Sequence, residues 1–288
     1  MANEICQIRP LNRIEQSELV SWANREGWNP GLHDADLFWE IDPGGFLGIE
    51  VDHVFAGGGA IIRHNPTFGF MGLFIMRPEY RSRKLGTTLW IARRDQLLSR
   101  LDAGATIGLD AVDAMVPFYA RGGFVPHVRQ GRFEWVAPST PNAISSDITP
   151  LEMIPFETLR AYDRDCFPGT RDHYLALWTR QKDAHAIGVI KSNQLVGYSV
   201  MRRCVSGWKI GPLFADTCDH DQELLVAHAQ RSAGEPIFLD APQNNPAAIE
   251  LCRSHGMREV FGCVRMYVGD TPNIANHKIF SITNFEIG

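Results

Sequence analysis

The second half of this 288-residue chain repeats the marks of its first, which restricts it to architectures that can be built twice. Leu109-Asp110-Ala111, followed by Phe118-Tyr119-Ala120-Arg121-Gly122-Gly123-Phe124, is paralleled by Leu239-Asp240-Ala241, followed by Leu251-Cys252-Arg253-Ser254-His255-Gly256-Met257. Self-similarity of this kind is the signature of one copied unit, so both copies should fold alike. Between them, residues 137–150 are rich in Pro, Ser and Asn and have no apolar period, the composition of a linker. Domains are therefore expected at 1–138 and 151–288, joined by 139–150.

Upstream of the repeated marks each half reads as a strand meander. In the first, 46–51, 54–62 and 68–76 are strands, with turns at Asp52-His53 and 64–67. In the second, 186–190, 195–201 and 208–214 follow suit, with turns at Ser192-Asn193 and near Ser206-Gly207. The helix after the first meander puts Leu85, Leu89 and Ala92 on one face and Arg93, Arg94 and Arg100 toward solvent. In the second half, Asn245 as cap, Pro246 at the first helical position and Gly256 past the end bound a helix with Ala248, Leu251 and Cys252 inside. The fold class is mixed α/β, an α+β arrangement of mostly antiparallel mixed sheets flanked by helices. The run 278–287 reads as a strand, and the first half lacks one after Trp135, so the tail is expected to cross over and complete the first sheet. Gly57-Gly58-Gly59 interrupts a strand and reads as a bulge or a close backbone approach.

The halves differ where an anion could bind. In the first, the apolar strand 70–76 runs into the basic turn 77–86 and then a helix. Amide N–H groups at a helix start have no intrahelical partners, the helix dipole is positive there, and Arg81, Arg83 and Lys84 add whole charges, while Gly86 lets a phosphate come close. In the second half, 215–223 holds Asp216, Asp219, Asp221 and Glu223, with no glycine or arginine, and would repel phosphate.

Together the segments 81–86 and 118–124 resemble the GNAT superfamily of N-acetyltransferases, whose Arg-x-x-Gly-x-Gly turn falls on Arg81 to Gly86 and whose Phe-Tyr-x-x-x-Gly-Phe segment falls on Phe118 to Phe124. Lys84 stands where that family prefers its first glycine, a place where positive φ strains a lysine. The segments 26–31, 210–216 and 265–269 carry a closer similarity to tandem GNAT proteins in which only the N-terminal copy binds the coenzyme. The resemblance implies two tandem GNAT-like domains, the second degenerate and serving as lid, substrate wall or dimer surface. It implies acetyl-CoA-dependent N-acetylation of a small primary amine by direct transfer, with Phe74, Ile75, Met76, Arg81, Ser82, Arg83, Lys84, Leu85, Gly86 and Thr87 on the coenzyme. A backbone N–H of the strand ending at Met76 would meet the oxyanion.

Tyr119 is the candidate acid for the leaving thiolate; a core aromatic beside Phe118 and Phe124 is the other reading, and Cys252 replaces it in the second half. Asp110 is the candidate base, although its repetition as Asp240 points equally to a structural cap. Trp28, Asn29 and Asp34 fall where the family places acceptor-contacting loops, and a tryptophan beside a carboxylate suits a cationic amine; Trp28 could equally staple a helix end. The family's frequent Asn seven residues before the tyrosine is Val112 in the first half and Asn245 in the second, and the sequence offers no reason. An acyl-CoA sensor without turnover and a protein-lysine acetyltransferase are the alternatives.

A net charge of −5 and a pI near 6.1 give no electrostatic footprint for nucleic acid. The six cysteines have no Cys-x-x-Cys spacing and the ten histidines do not cluster in sequence, so no metal is expected and reduced thiols in a cytoplasmic protein are the reading. Residues 1–7 do not read as a secretory leader, and no apolar run approaches a membrane span. A homodimer is left open.

Overall fold

The computed structural model describes residues 5–138, 145–232 and 234–288. Residues 1–4 of the expected leaderless start and 139–144 of the expected linker lie outside the described residues. The first half runs β1 (Cys6–Pro10), α1 (Arg13–Arg25), α2 (Asp34–Ile41), β2 (Phe46–Val51), β3 (Val54–Asn65), β4 (Phe68–Met76), α3 (Leu85–Ser99), β5 (Thr106–Val112), α4 (Val116–Arg121) and β6 (Val125–Val136). The second runs β7 (Ile148–Pro150), α5 (Phe156–Cys166), α6 (Asp172–Trp178), β8 (Ala184–Lys191), β9 (Gln194–Arg203), β10 (Trp208–Ala215), α7 (Cys218–Arg231), β11 (Pro236–Pro242), α8 (Pro246–Ser254), β12 (Arg258–Val268) and β13 (Ile279–Ser281). The end of the expected linker is thus a strand, β7, paired with β8.

Local chemistry explains many of the boundaries. Asn12 and Glu15 form a capping box on α1, each side chain taking the other's backbone N–H at 3.0 Å. The β2/β3 and β8/β9 hairpins turn on Asp52-His53 and Ser192-Asn193, all four at positive φ, as primed two-residue turns require. Asn245 caps α8 through Ala247 N–H at 3.1 Å. Its Nδ2 also donates to Ile279 O at 2.9 Å, fastening the tail, which gives the Asn245-for-Val112 exchange a physical reason.

The strands form one sheet in the order β1-β2-β3-β4-β5-β12-β6-β11-β10-β9-β8-β7, with β13 against β10. The β4/β5 and β10/β11 pairs are parallel and the remaining described pairs antiparallel. The centre holds the principal correction to the sequence reading. Each half gives its last long strand to the other: β12 lies on β5, and β6 lies on β11. The strand missing from the first sheet is therefore β12 and not the C-terminal tail.

Cross-strand ion pairs mark this exchange. Asp110 on β5 sits opposite Arg265 on β12 with two bonds of 2.7 Å, and Asp240 on β11 sits opposite Arg132 on β6 at 2.7 and 2.8 Å. One face carries a continuous core reaching α1, α2, α5 and α6 of both halves. The other divides into a core under α3 and α4 and a core under α7 and α8. On α3 the inner stripe is Leu89, Trp90, Arg93 and Leu97, so Arg93 points inward against expectation while Arg94 stays half-exposed. The pairing of β3 with β4 shifts register between Gly58 and Ala60, the irregularity read from the three glycines.

Candidate active site

Strands β4 and β5 run side by side only from Phe68 and Thr106 to Met71 and Leu109. Beyond that they part. Leu73 adopts φ 48°, and the end of β4 follows β3 instead, with Ile75 opposite Gly58 and Met76 opposite Gly57. The wedge is a cavity of about 530 Å³. Phe74, Ile75 and Met76 line it from β4, Ser82, Lys84, Gly86 and Thr87 from the turn into α3, and Asp110, Phe118 and Tyr119 from β5 and α4. Phe261, Cys263, Phe285 and Glu286 enter from the second half.

The turn is built to leave amides unsatisfied. Ser82 and Lys84 both take positive φ, 61° and 64°, and α3 starts with no side-chain cap. The first helical bond runs from Thr88 N–H to Lys84 O, so the N–H groups of Leu85, Gly86 and Thr87 have no intrahelical acceptor. The whole charges are less available than the sequence implied. Arg81 donates to Met76 O at 2.9 Å and pairs with Glu26, and the Arg83 guanidinium lies 5.2 Å from the Tyr80 ring centre. Neither Arg83 nor Leu85 lines the cavity, whereas Arg81 does. Anion attraction here rests on backbone amides and Lys84 more than on arginines.

Tyr119 is both packed among aromatics and turned to the cavity. Its ring packs edge-on against Phe118 at 5.2 Å and near Phe124 and Trp90, while the residue faces the cavity. Burial pushes its phenol up to about 12, so the hydroxyl keeps its proton at neutral pH.

Asp110 also lines the cavity, but both its oxygens are engaged by Arg265 and its side chain has no exposure. Burial pushes its carboxyl up, against the pull of Arg265. Bound this way it is a cross-strand tie; its repetition as Asp240, tied to Arg132, is the same device. Trp28 lines the cavity half-buried, and its carbonyl accepts from Arg132 at 2.7 Å. Asn29 and Asp34 stand outside it. Asn29 bridges to the backbone of Ser206 in the second half, and Asp34, fully buried, pairs with Arg202 and caps Gly31 N–H. Their polar groups join the halves, so the expected tryptophan–carboxylate pair facing a substrate does not form.

Arg93 is a cavity residue that helical periodicity hides, because an arginine on an amphipathic helix reads as solvated. It is 1% exposed, donates to Ala60 O at 2.6 Å and Gly72 O at 2.7 Å, and lines the cavity. Burial lowers its pKa to about 10. Its guanidinium fills the space beside Gly59, the one hint the sequence held. His185 and His228 meet through their Nδ1 atoms at 3.2 Å in the second half, a pairing their sequence separation hid.

In the second half the equivalent wedge is closed. Strands β10 and β11 pair from Trp208 and Ile237 to Ile210 and Leu239, and β13 then occupies the gap, with Ser281 opposite Leu213. Ser281 Oγ accepts Asp240 N–H at 2.9 Å, and Ile282 N–H donates to Asp240 O at 3.0 Å. The tail passes Gly211, where a Cβ would strike Thr283 O, and reaches Gly72 of the first half, where a Cβ would strike Glu286 O. Thus the tail fills one wedge and ends beside the other, while α7 begins with Asp219 and Asp221 in its first turn.

Residues 11–124 match the family described as Acetyltransferase (GNAT) family, and residues 159–281 match Acetyltransferase (GNAT) domain. The chain is 27% identical over 287 residues to the holothin acyltransferase of Pseudoalteromonas sp. (strain SANK 73390), covering 96% of this chain and 92% of that protein. Its fold is similar to that of a putative acetyltransferase from Pyrococcus horikoshii, with TM-score 0.83, 22% identity and coverage of 100% and 97%. It is also similar to a tandem GNAT protein from the clavulanic acid biosynthesis pathway, with TM-score 0.66, 12% identity and coverage of 93% and 99%. The wedge under an uncapped helix, built once and plugged once, and the two family matches lead to one statement: this chain belongs to the GNAT acetyltransferase family as a tandem member.

Proposed function

We propose that the chain transfers an acetyl group from acetyl-CoA to a small primary amine, directly and at the first-half wedge alone. The observation that carries this is the contrast between two equivalent wedges, one open beneath unsatisfied amides and the other filled by β13. The residues fit the coenzyme. The Gly86 and Thr87 amides and Lys84 would hold the pyrophosphate, and the β4 edge that leaves β5 offers ladder groups to the amide-bearing arm.

Chemistry then follows from position. Seating the thioester carbonyl beside the amine supplies the proximity gain. A β4 N–H facing the wedge would stabilise the oxyanion. Tyr119, neutral because it is buried, would protonate the departing thiolate. The name of the holothin acyltransferase says that that protein transfers an acyl group to holothin, which supports acyl transfer as the reaction here. Incubation with acetyl-CoA and an amine panel, following thiol release, tests the reading. Amine-dependent release that collapses in Tyr119→Phe supports it; coenzyme binding without release overturns it in favour of a sensor.

A further inference from the structure

Among the described residues, three carboxylates line the cavity, and two are already engaged: Glu26 by Arg81, and Asp110 by Arg265 at both oxygens. The third, Glu286, is 2% exposed, and neither of its carboxylate oxygens has a hydrogen-bond partner. Its ion-pair contact, Lys209 Nζ, stands at 3.6 Å, beyond hydrogen-bond length. A buried carboxylate in this condition carries a desolvation penalty that a donor from outside the protein would relieve.

The tail is fixed so as to present it. Asn284 Oδ1 accepts the N–H groups of Glu286 and Ile287 at 2.9 and 2.7 Å, and its Nδ2 donates to Tyr174 at 2.6 Å. The Glu286 carbonyl packs on Gly72, where β4 and β5 part. Aromatic surface surrounds the same spot. Trp28 O accepts from Lys209 at 3.4 Å and from Arg132, whose guanidinium lies 5.6 and 5.0 Å from the Phe261 and Phe285 ring centres.

We infer that Glu286 receives the acceptor's amine and takes its proton, and that the acceptor is a primary amine on a flat apolar body held by Trp28, Phe261 and Phe285. The inference rests on the acetyl-transfer reading above and names the acceptor side of that site. In the step, the nitrogen lone pair forms the N–C bond and the carbonyl π pair moves to oxygen. The N–H proton passes to Glu286. Collapse breaks the C–S bond, its electron pair goes to sulfur, and sulfur takes the Tyr119 proton; solvent returns the proton from Glu286 to Tyr119 before the next turnover. The charged and titratable groups facing Glu286 are Lys209 on β10, Arg132 on β6, Arg202 on β9, Asp110 on β5 and Cys263 on β12. Arg132, Arg202 and Asp110 already have opposite charges of their own in Asp240, Asp34 and Arg265.

Calorimetry on the full chain comes first with coenzyme A; no binding removes the coenzyme reading and this inference with it. With coenzyme A saturating, phenethylamine is compared with 2-phenylethanol. Wild type is expected to prefer the amine by at least about tenfold, the worth of one charge-assisted hydrogen bond. Glu286→Gln should keep coenzyme affinity, which certifies its fold, lose the preference, and lose at least about 100-fold in kcat for thiol release with phenethylamine. Glu286→Asp should retain the preference. The inference is overturned if wild type binds the alcohol as well as the amine, if it binds neither, or if Glu286→Gln keeps both the preference and the wild-type kcat for thiol release.

Discussion

Replacing Asp110 by Asn separates its two readings. The Asp110 side chain is fully buried and holds Arg265 through two bonds of 2.7 Å across the strands that join the halves. Asn keeps the shape but removes the charge and turns an N–H donor toward a guanidinium that has only donors. Arg265 is 8% exposed and would be left as an uncompensated buried cation. Breaking such a pair from one side costs about 3–5 kcal/mol. At the size of this chain that is a fall in Tm on the order of 10 °C. Because β6 and β12 cross between halves, one urea transition should shift as a whole and not split into two. The variant Asp110→Leu with Arg265→Met, which removes both charges, should be more stable than either single change. Turnover of Asp110→Asn should stay within about tenfold of wild type at a permissive temperature, below the loss expected for a general base. A stability loss under about 1 kcal/mol together with abolished turnover would refute the structural role and restore Asp110 as the base.

Three other outcomes follow from the geometry. Tyr119→Phe should lower kcat by about 10²-fold or more while leaving coenzyme affinity unchanged; since burial raises the phenol to about 12, its stabilising neutral form is present below pH 10 and lost as pH rises through 12, so wild-type kcat should show no alkaline fall from this group between pH 7 and 10. Lys84→Gly relieves a left-handed lysine at φ 64° but frees the unfolded chain, so stability should change by less than about 1 kcal/mol in a urea titration, while coenzyme affinity weakens and its salt dependence flattens. Gly72→Ala drives a methyl group into the Glu286 carbonyl; a cost of about 1–3 kcal/mol and faster proteolysis of the tail are expected, and unchanged proteolysis with full amine turnover would count against the tail's place in the site.

What the sequence disclosed was local, and what it hid was not. The Asp52-His53 and Ser192-Asn193 turns, the Asn245-Pro246 helix start and the basic turn before α3 are each specified by neighbours within a few residues. Pairing alone reveals the exchange of β6 and β12, because Arg132 and Arg265 meet Asp240 and Asp110 more than a hundred positions away. Asp34 reads as a substrate carboxylate because nothing near it in sequence announces Arg202. Helical periodicity places Arg93 outside because it cannot anticipate carbonyl acceptors at Ala60 and Gly72. The run 278–287 reads as a strand completing the first sheet; only Ile279–Ser281 is a strand, it pairs with β10, and the rest of the tail turns on Asn284 to end beside Gly72. The acidic run 215–223 predicts a second wedge that fails by charge; what closes it in the structure is β13.

Titration calorimetry of coenzyme A against wild type, Gly86→Asp and Asp219→Asn weighs the single open wedge most directly. A carboxylate at position 86 suits the dipole of α3 but opposes a pyrophosphate. The expected result is one coenzyme per chain, lost in Gly86→Asp and unaltered in Asp219→Asn. Two equivalents per chain, or full affinity in Gly86→Asp, would contradict it.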